Sequence, residues 1–451
     1  MASGSSIPLL GMNRRQWLML IAAWFGWGFD VFDALLFNMV APSCVPSLLH
    51  LQPGSTEAKS ATLAWTGWLT CLLLIGWGIG GILFGRVADR LGRSKALILT
   101  MLLYSFGTGI CAFAPNIWLL LLFRVVASLG IGGEWAAGAA MVAEAVPENR
   151  RVVAGGILYT ASPIGVGLAT FVTLTFQGTL FKSNPEDGWR YVFLAGLIPA
   201  VFAIALRTAI SDSSHLKSAL SAGAKSGIRD LFSPALRTST TVALMTATAT
   251  LITWWSCSAF LPLIASELAR ASSDQTDKSA IAHTVENWKA TATYCFSSGG
   301  LVGTVASIPI ASVFGRKKMF LIYFLLSAVA ILAGFGLPIA PYTRLFMYFP
   351  IGFAIFGIFG SFTYYLPELF PTRLRATGAG FCYNTGRFVA AAGPLIVGGI
   401  ASRGKDTLLA AITAQFWVGL IPLAALALYP FIVETRGCAL PDETVICAWG
   451  G

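Results

Sequence analysis

Residues 85–95 read GRVADRLGRSK and lie between two long apolar runs, Ala64 to Phe84 and Ala96 to Ala114. Arg86, Arg90, Arg93 and Lys95 surround a single acid, Asp89. So much charge cannot lie in hydrocarbon, while each flanking run approaches the ~20 apolar residues with which a helix crosses a bilayer. The stretch therefore reads as a tight hairpin between two membrane helices. Short loops rich in Lys and Arg stay on the cytoplasmic side, which places this one inside.

Composition widens that reading to the whole chain. Of 451 residues, 56% are hydrophobic and only 11% charged, with a mean hydropathy of +0.73. A water-soluble domain of this size carries far more charge, so the chain reads as a polytopic membrane protein. Its net charge of +10 sits in short turns and forms no face long enough to track a phosphate backbone, which argues against nucleic acid as a partner. The eight cysteines show no C-x-x-C spacing and fall mostly in apolar runs, as small packing residues do. His50, His215 and His283 fall in expected loops, so no metal or cofactor site is expected. Arg14-Arg15 precedes an apolar run too long for a cleaved signal and reads as the anchor of an uncleaved first helix.

Twelve spans follow, at about 16–41, 63–84, 96–114, 117–145, 152–176, 190–207, 238–266, 288–313, 319–339, 344–366, 377–400 and 407–433. The expected fold class is all-α, with both termini in the cytoplasm and the chain multi-pass in the inner (plasma) membrane as a monomer. That orientation gives the inner segments about twice the Lys and Arg of the outer loops, to which Lys59, Arg190, Lys289 and Arg344 are assigned. The polar stretch 207–237 reads as a linker between an N-terminal bundle, 1–206, and a C-terminal bundle, 238–451. The halves repeat. Gly92-Arg93 recurs as Gly315-Arg316, 223 residues on, and Glu144-x-x-Pro147 recurs as Glu368-x-x-Pro371, 224 on. Arg151, Gly156 and Tyr159 recur as Arg375, Gly380 and Tyr383.

An ionisable side chain inside a span costs several kcal/mol unless paired, so each one is a functional candidate. Five stand out: Asp30 and Asp33 on span 1, Arg124 and Glu134 on span 4, and Arg387 on span 11. Asp30 and Asp33 are three apart and share a helix face. At ~1.5 Å per residue, Asp33 lies roughly 24 Å above the inner start of its span and Arg124 roughly 28 Å above the inner end of span 4. They can pair at that depth, as a proton switch or as a static ion pair that fixes helix contacts. Glu134 is a second proton candidate, a partner for Arg387, or a helix-bonding residue. Arg387 has Tyr383 and Asn384 on its own face, a set suited to bidentate capture of a carboxylate, or to a buried pair with Glu134 or Asp30. Trp27, Tyr159, Trp254 and Trp255 join them as aromatic candidates for a cavity lining, or as packing.

The pattern G-x-x-x-D-R-x-G-R-x-K across Gly85–Lys95 resembles the signature loop between helices 2 and 3 of the major facilitator superfamily. Arg124-x-x-x-x-x-Gly130-x-Gly132, Glu144-x-x-Pro147-x-x-Arg150, Pro367-Glu368-Leu-Phe-Pro371-Thr-Arg373 and Glu434-Thr-Arg436-Gly437 extend the resemblance over all twelve spans. The set is similar to the sugar porters, the organic-ion transporters and their acid-transporting relatives. It implies two six-helix pseudo-repeats and a secondary active transporter working by alternating access, not an enzyme. In proton-coupled sugar porters an acid on helix 1 pairs with an arginine on helix 4, which maps onto Asp33 or Asp30 with Arg124.

Asp30-Val-Phe-Asp33 is similar to the D-G-[FY]-D element of aromatic-acid and sialate symporters, with Val31 in place of glycine. Gly130 to Gly138 looks most like the sialate/monocarboxylate, lactate permease-like branch. The implied activity is symport of a proton with a small organic anion such as lactate or sialate, with aromatic acids, sugars or organic cations as the alternative. The gate expected at the cytoplasmic side sets Asp89, Arg90 and Arg93 against Glu144, and in the second half Arg316 against Glu368. Ser312 replaces the acid Asp89 in the second copy, so a latch stronger in the first half is expected.

Overall fold

The computed structural model describes residues 12–91, 93–146, 150–181, 185–202, 228–273, 278–371 and 374–436. The linker positions 207–227 and the side chains of Asp89, Arg90, Arg93, Glu134 and Glu144 lie outside the described residues. In chain order the helical spans are α1 (Arg14–Leu48), α2 (Thr56–Leu91), α3 (Arg93–Cys111), α4 (Ile117–Ala145), α5 (Val152–Leu180) and α6 (Pro185–Ala195), then α7 (Arg237–Ala271), α8 (Lys278–Phe314), α9 (Arg316–Gly336), α10 (Pro341–Glu368), α11 (Thr377–Arg403) and α12 (Thr407–Phe431). Among the described residues nine of these are long and apolar enough to cross a membrane. Shorter apolar stretches, Ile98–Cys111 and Ile117–Gly132, mark α3 and α4. The twelve spans form two six-helix halves. Within the seam α2 runs against α11, α5 against α8, and α1 against α7.

Several helices outrun the apolar segments that announced them. α1 continues to Leu48, α2 starts at Thr56, and α8 starts at Lys278, about three turns before its expected beginning. Lys289 is therefore no outer-loop residue: it lies inside α8 and is buried. Arg190 and Arg344 also leave the loop class. Arg190 donates from Nη1 to the carbonyls of Ala112 (2.7 Å) and Ala114 (3.1 Å), and Arg344 donates to those of Gly334 and Leu337. The last carbonyls of a helix have no partner within it; Arg344 supplies one for Gly334 in the last turn of α9, and Arg190 serves the turn that follows α3.

Close helix contacts repeat with the sequence. Gly76 and Gly80 let α2 press against Ser128 and Leu129 of α4; 223 residues on, Gly299 and Gly303 let α8 press against Phe349 and Phe353 of α10. In lipid, packing of this kind drives helix association, and only small residues allow it.

A second glycine requirement sits at the start of α9, at the end of the bundle that carries the Gly85–Lys95 turn. Gly315 has φ +89°, a left-handed conformation, and a side chain there would strike the Glu434 carboxylate. That carboxylate accepts from the backbone N–H groups of Arg316 (2.9 Å) and Lys317 (3.1 Å), capping the helix from the far side of α12. Arg316 in turn forms a two-pronged pair with Glu368 at 2.8 and 3.1 Å. So the second half brings in Glu434 where the loop itself has lost its acid, and Ser312 merely bonds back to the Ile308 carbonyl.

Gly80→Ala places a methyl inside the Leu129 carbonyl and should cost about 1–3 kcal/mol. Gly399→Ala, where a Cβ meets open space, should leave the protein as stable as before; thermal unfolding in detergent measures both.

Candidate functional site

Midway between the two ends, six helices bring charged and aromatic side chains together. From the first half come Trp27 and Asp30 on α1, Trp77 on α2 and Tyr159 on α5. From the second come Trp254 and Trp255 on α7, Phe359 on α10, and Tyr383, Asn384 and Arg387 on α11. The ring network is continuous. Trp27 lies 6.2 Å from Trp77 and 5.9 Å from Tyr159. Trp77 meets Trp255 across the seam at 5.7 Å, and Tyr159 stacks on Phe359 at 5.9 Å.

Arg387 is its centre. Only 1% of the residue is exposed. Its guanidinium lies 4.3 Å from the centre of the Trp77 ring and 4.5 Å from that of Tyr383. Aromatic faces carry negative charge, so this placement stabilises a cation that has lost its water. Nη1 donates to Asn384 Oδ1 at 2.7 Å. Tyr383 also bonds Arg387, and its phenol hydrogen-bonds that of Tyr159, so the second half grips the first through this pair. Asn384 packs over Gly81 of α2, where only a missing side chain leaves room. Asp30 is close enough for its charge to act on Arg387.

Three buried N–H groups here have no acceptor: Arg387 Nε, Trp77 Nε1 and Trp254 Nε1. A buried donor left unmade costs about 1–3 kcal/mol. All three are donors only, so the group that would satisfy them has to bring lone pairs.

Asp33 belongs to a neighbouring cluster inside the first half. Its Oδ2 lies 3.6 Å from Arg124 Nη1 and accepts from Thr108 Oγ1 at 2.8 Å. Arg124 spends its hydrogen bonds mainly on α1 backbone: Nη1 to the Asp33 carbonyl at 3.2 Å and Nη2 to the Ala34 carbonyl at 3.0 Å. Asp33 Oδ1 accepts no bond and both residues are buried. The two acids of α1 thus divide their roles: Asp33 faces Arg124, while Asp30, one turn away, faces the seam.

The structure unites Arg387, Asn384, Tyr383, Tyr159, Trp254 and Asp30 at one place, and Asp33 with Arg124 at another. Sequence reading missed Trp77 and Phe359. A signal for Trp77 existed, since it lies between Gly76 and Gly78 and one turn from Gly80 and Gly81; a bulky ring among glycines marks a contact face.

Two helical bundles with a polar, charge-bearing site at the midplane of their seam define a membrane transporter. Residues 17–394 match the model of the Major Facilitator Superfamily, and the chain belongs to that family. It is 26% identical over 398 residues to a gentisate transporter of Corynebacterium glutamicum, covering 87% of this chain and 83% of that one. It is 25% identical over 386 residues to the sialic acid transporter NanX of Escherichia coli, covering 85% and 87%. A crystal structure of a D-xylose-proton symporter superposes with a TM-score of 0.72 at 19% identity over 94% of this chain and 99% of that one, a likeness of fold. Transport, not catalysis, is accordingly its class of activity.

Arg124→Ala should cost about 3–5 kcal/mol, because it strands a buried carboxylate and two carbonyls. Asp33→Asn, which leaves the carbonyl bonds of Arg124 in place, should cost less. Thermal unfolding of the two variants side by side checks the order.

Proposed function

We propose that the chain carries a small planar organic acid, an aromatic carboxylate foremost, together with a proton, by alternating access of the bundles 1–206 and 238–451 about the linker 207–237. The observation that carries this reading is Arg387, held between two ring faces with its Nε–H and the Trp77 N–H unmatched. A carboxylate supplies the missing acceptors in pairs, and a guanidinium binds it along one edge. The surrounding indoles and phenols offer flat walls to a flat substrate. Gentisate and sialate, named for two relatives, are both carboxylates; the aromatic walls favour the flatter one.

Coupling follows from competition for Arg387. A substrate carboxylate that engages the guanidinium weakens its hold on Asp30, and an acid left in a dry seam takes up a proton. Asp33, one turn along α1 and facing Arg124 of α4, responds in step because both acids ride on one helix. Glu134 is a further proton candidate on α4. At the cytoplasmic end, Arg316, Glu368 and Glu434 keep the second half braced, and Asp89, Arg90 and Arg93 meet Glu144 when the seam closes there.

In proteoliposomes, an inward proton gradient should drive accumulation of benzoate or gentisate in preference to lactate, sialate, xylose or a quaternary amine. Preference for the amine or the sugar would overturn the anion reading. Asp33→Asn, fixed in the form that mimics a protonated acid, should keep exchange of substrate across the membrane and lose accumulation against the gradient. Arg387→Ala should weaken substrate binding far more than Arg387→Lys, and Trp77→Phe, which keeps a ring face but no N–H, should fall between them. Direct binding to purified protein measures the series.

A further inference from the structure

We propose that Lys289, together with its counter-ion Glu286 on α8, is the latch that holds the seam shut at the end of the bundle opposite the Gly85–Lys95 turn. Lys289 Nζ lies 2.6 Å from Glu286 Oε1 and donates to the carbonyl of Met39 on α1 at 3.1 Å. α1 belongs to the first half and α8 to the second, so this bond crosses the seam. Lys289 is 3% exposed. One turn on, Thr293 touches Met39 Sδ at 4.0 Å.

The elements meeting there are irregular in the first half. Pro42 and Pro46 interrupt α1, and Pro42 has no N–H to offer the carbonyl of Asn38, beside the docking point. The end of α5, Leu174–Leu180, is a π-helix. Its Gln177 hydrogen-bonds Ser43 of α1 and its Gly178 lies against Glu286. Helices loosened by proline or a π turn bend more readily than regular ones and mark moving parts. Two adjacent segments of the first half are thus softened where the second half grips them.

The charge arrangement suits a bond that must break and reform. Glu286 and Lys289 are i and i+3 on one helix, so they separate from α1 as a pair. When the seam opens, Lys289 gives up only a neutral carbonyl and keeps its anion, which spares it the cost of becoming a bare charge. A charge-assisted hydrogen bond of this kind is worth roughly a 10- to 100-fold bias between two states. Nearer the mouth, Lys59 of α2 pairs with Glu267 of α7 at 2.7 Å, but with side chains 30% and 20% exposed this pair is weakened by water. Of these two charged contacts the buried one is the stronger.

The proposal rests on the transport reading but needs neither substrate nor proton gradient for its test. Spin labels at the exposed positions Gln52 and His283, which flank this end of the seam, report its opening as a distance distribution in the purified full-length protein. Lys289→Met should raise the ratio of the long to the short population by about 10- to 100-fold, and Lys289→Arg should stay close to the original. If Lys289→Met does not fold, the double variant Glu286→Gln, Lys289→Met removes both charges and should show the same shift. Unchanged distances in a folded variant lacking Lys289, even with lowered thermal stability, would overturn the latch. A shifted distribution in a protein that carries none of the tested acids would leave the latch standing and remove the substrate reading alone.

Discussion

A cation in the middle of a membrane protein has no water to fall back on, so the protein itself must supply what hydration would have given. Four of the buried cations among the described residues are served in four ways. Arg124 has backbone carbonyls, Arg387 has ring faces and an amide, Lys289 has a carboxylate on its own helix, and Arg316 has a two-pronged acid. The type of partner decides what each can do. Carbonyls are always there, so Arg124 remains anchored to α1 whatever the state of Asp33. Ring faces leave the edge of the guanidinium available, so Arg387 is stabilised and still able to receive an anion.

This division also explains why the two acids of α1 matter as a pair. Helix geometry puts Asp30 and Asp33 on one face a turn apart, yet each answers to an arginine from a different part of the molecule. A change at either arginine is felt through one rigid helix. On the proposed reading, that helix is the link between the anion at the seam and the proton inside the first half, and no longer pathway is needed.

The fold was legible because hydrocarbon imposes length and charge rules that composition alone reveals. The pairing of Asp33 with Arg124 was legible as well, since equal depth on neighbouring antiparallel spans can be counted from residue numbers. Arg387 with Asn384 and Tyr383 could be read from spacing on one helix. What escaped notice depended on contacts between distant parts of the chain. Trp77 reaches Arg387 only when α2 lies against α11. Lys289 was assigned to a loop because the first turns of α8 are polar, and hydropathy does not distinguish a loop from a helix that extends beyond the membrane core. Glu434 was read as a family mark, while its work as the cap of α9 depends on a left-handed Gly315 over a hundred positions earlier.

That cap carries a consequence for how the molecule is made. The N–H groups at the start of α9 are matched by a carboxylate 118 and 117 residues further along. A ribosome delivers the helix long before its cap, so during synthesis the beginning of α9 waits with open donors and Arg316 has only Glu368 in prospect. The first half has its close contact between α2 and α4 complete once α4 has emerged. The second half cannot finish until Glu434 has been made. Biogenesis is therefore ordered by the chain itself: α9 is delivered first and is capped only after Glu434 has been made.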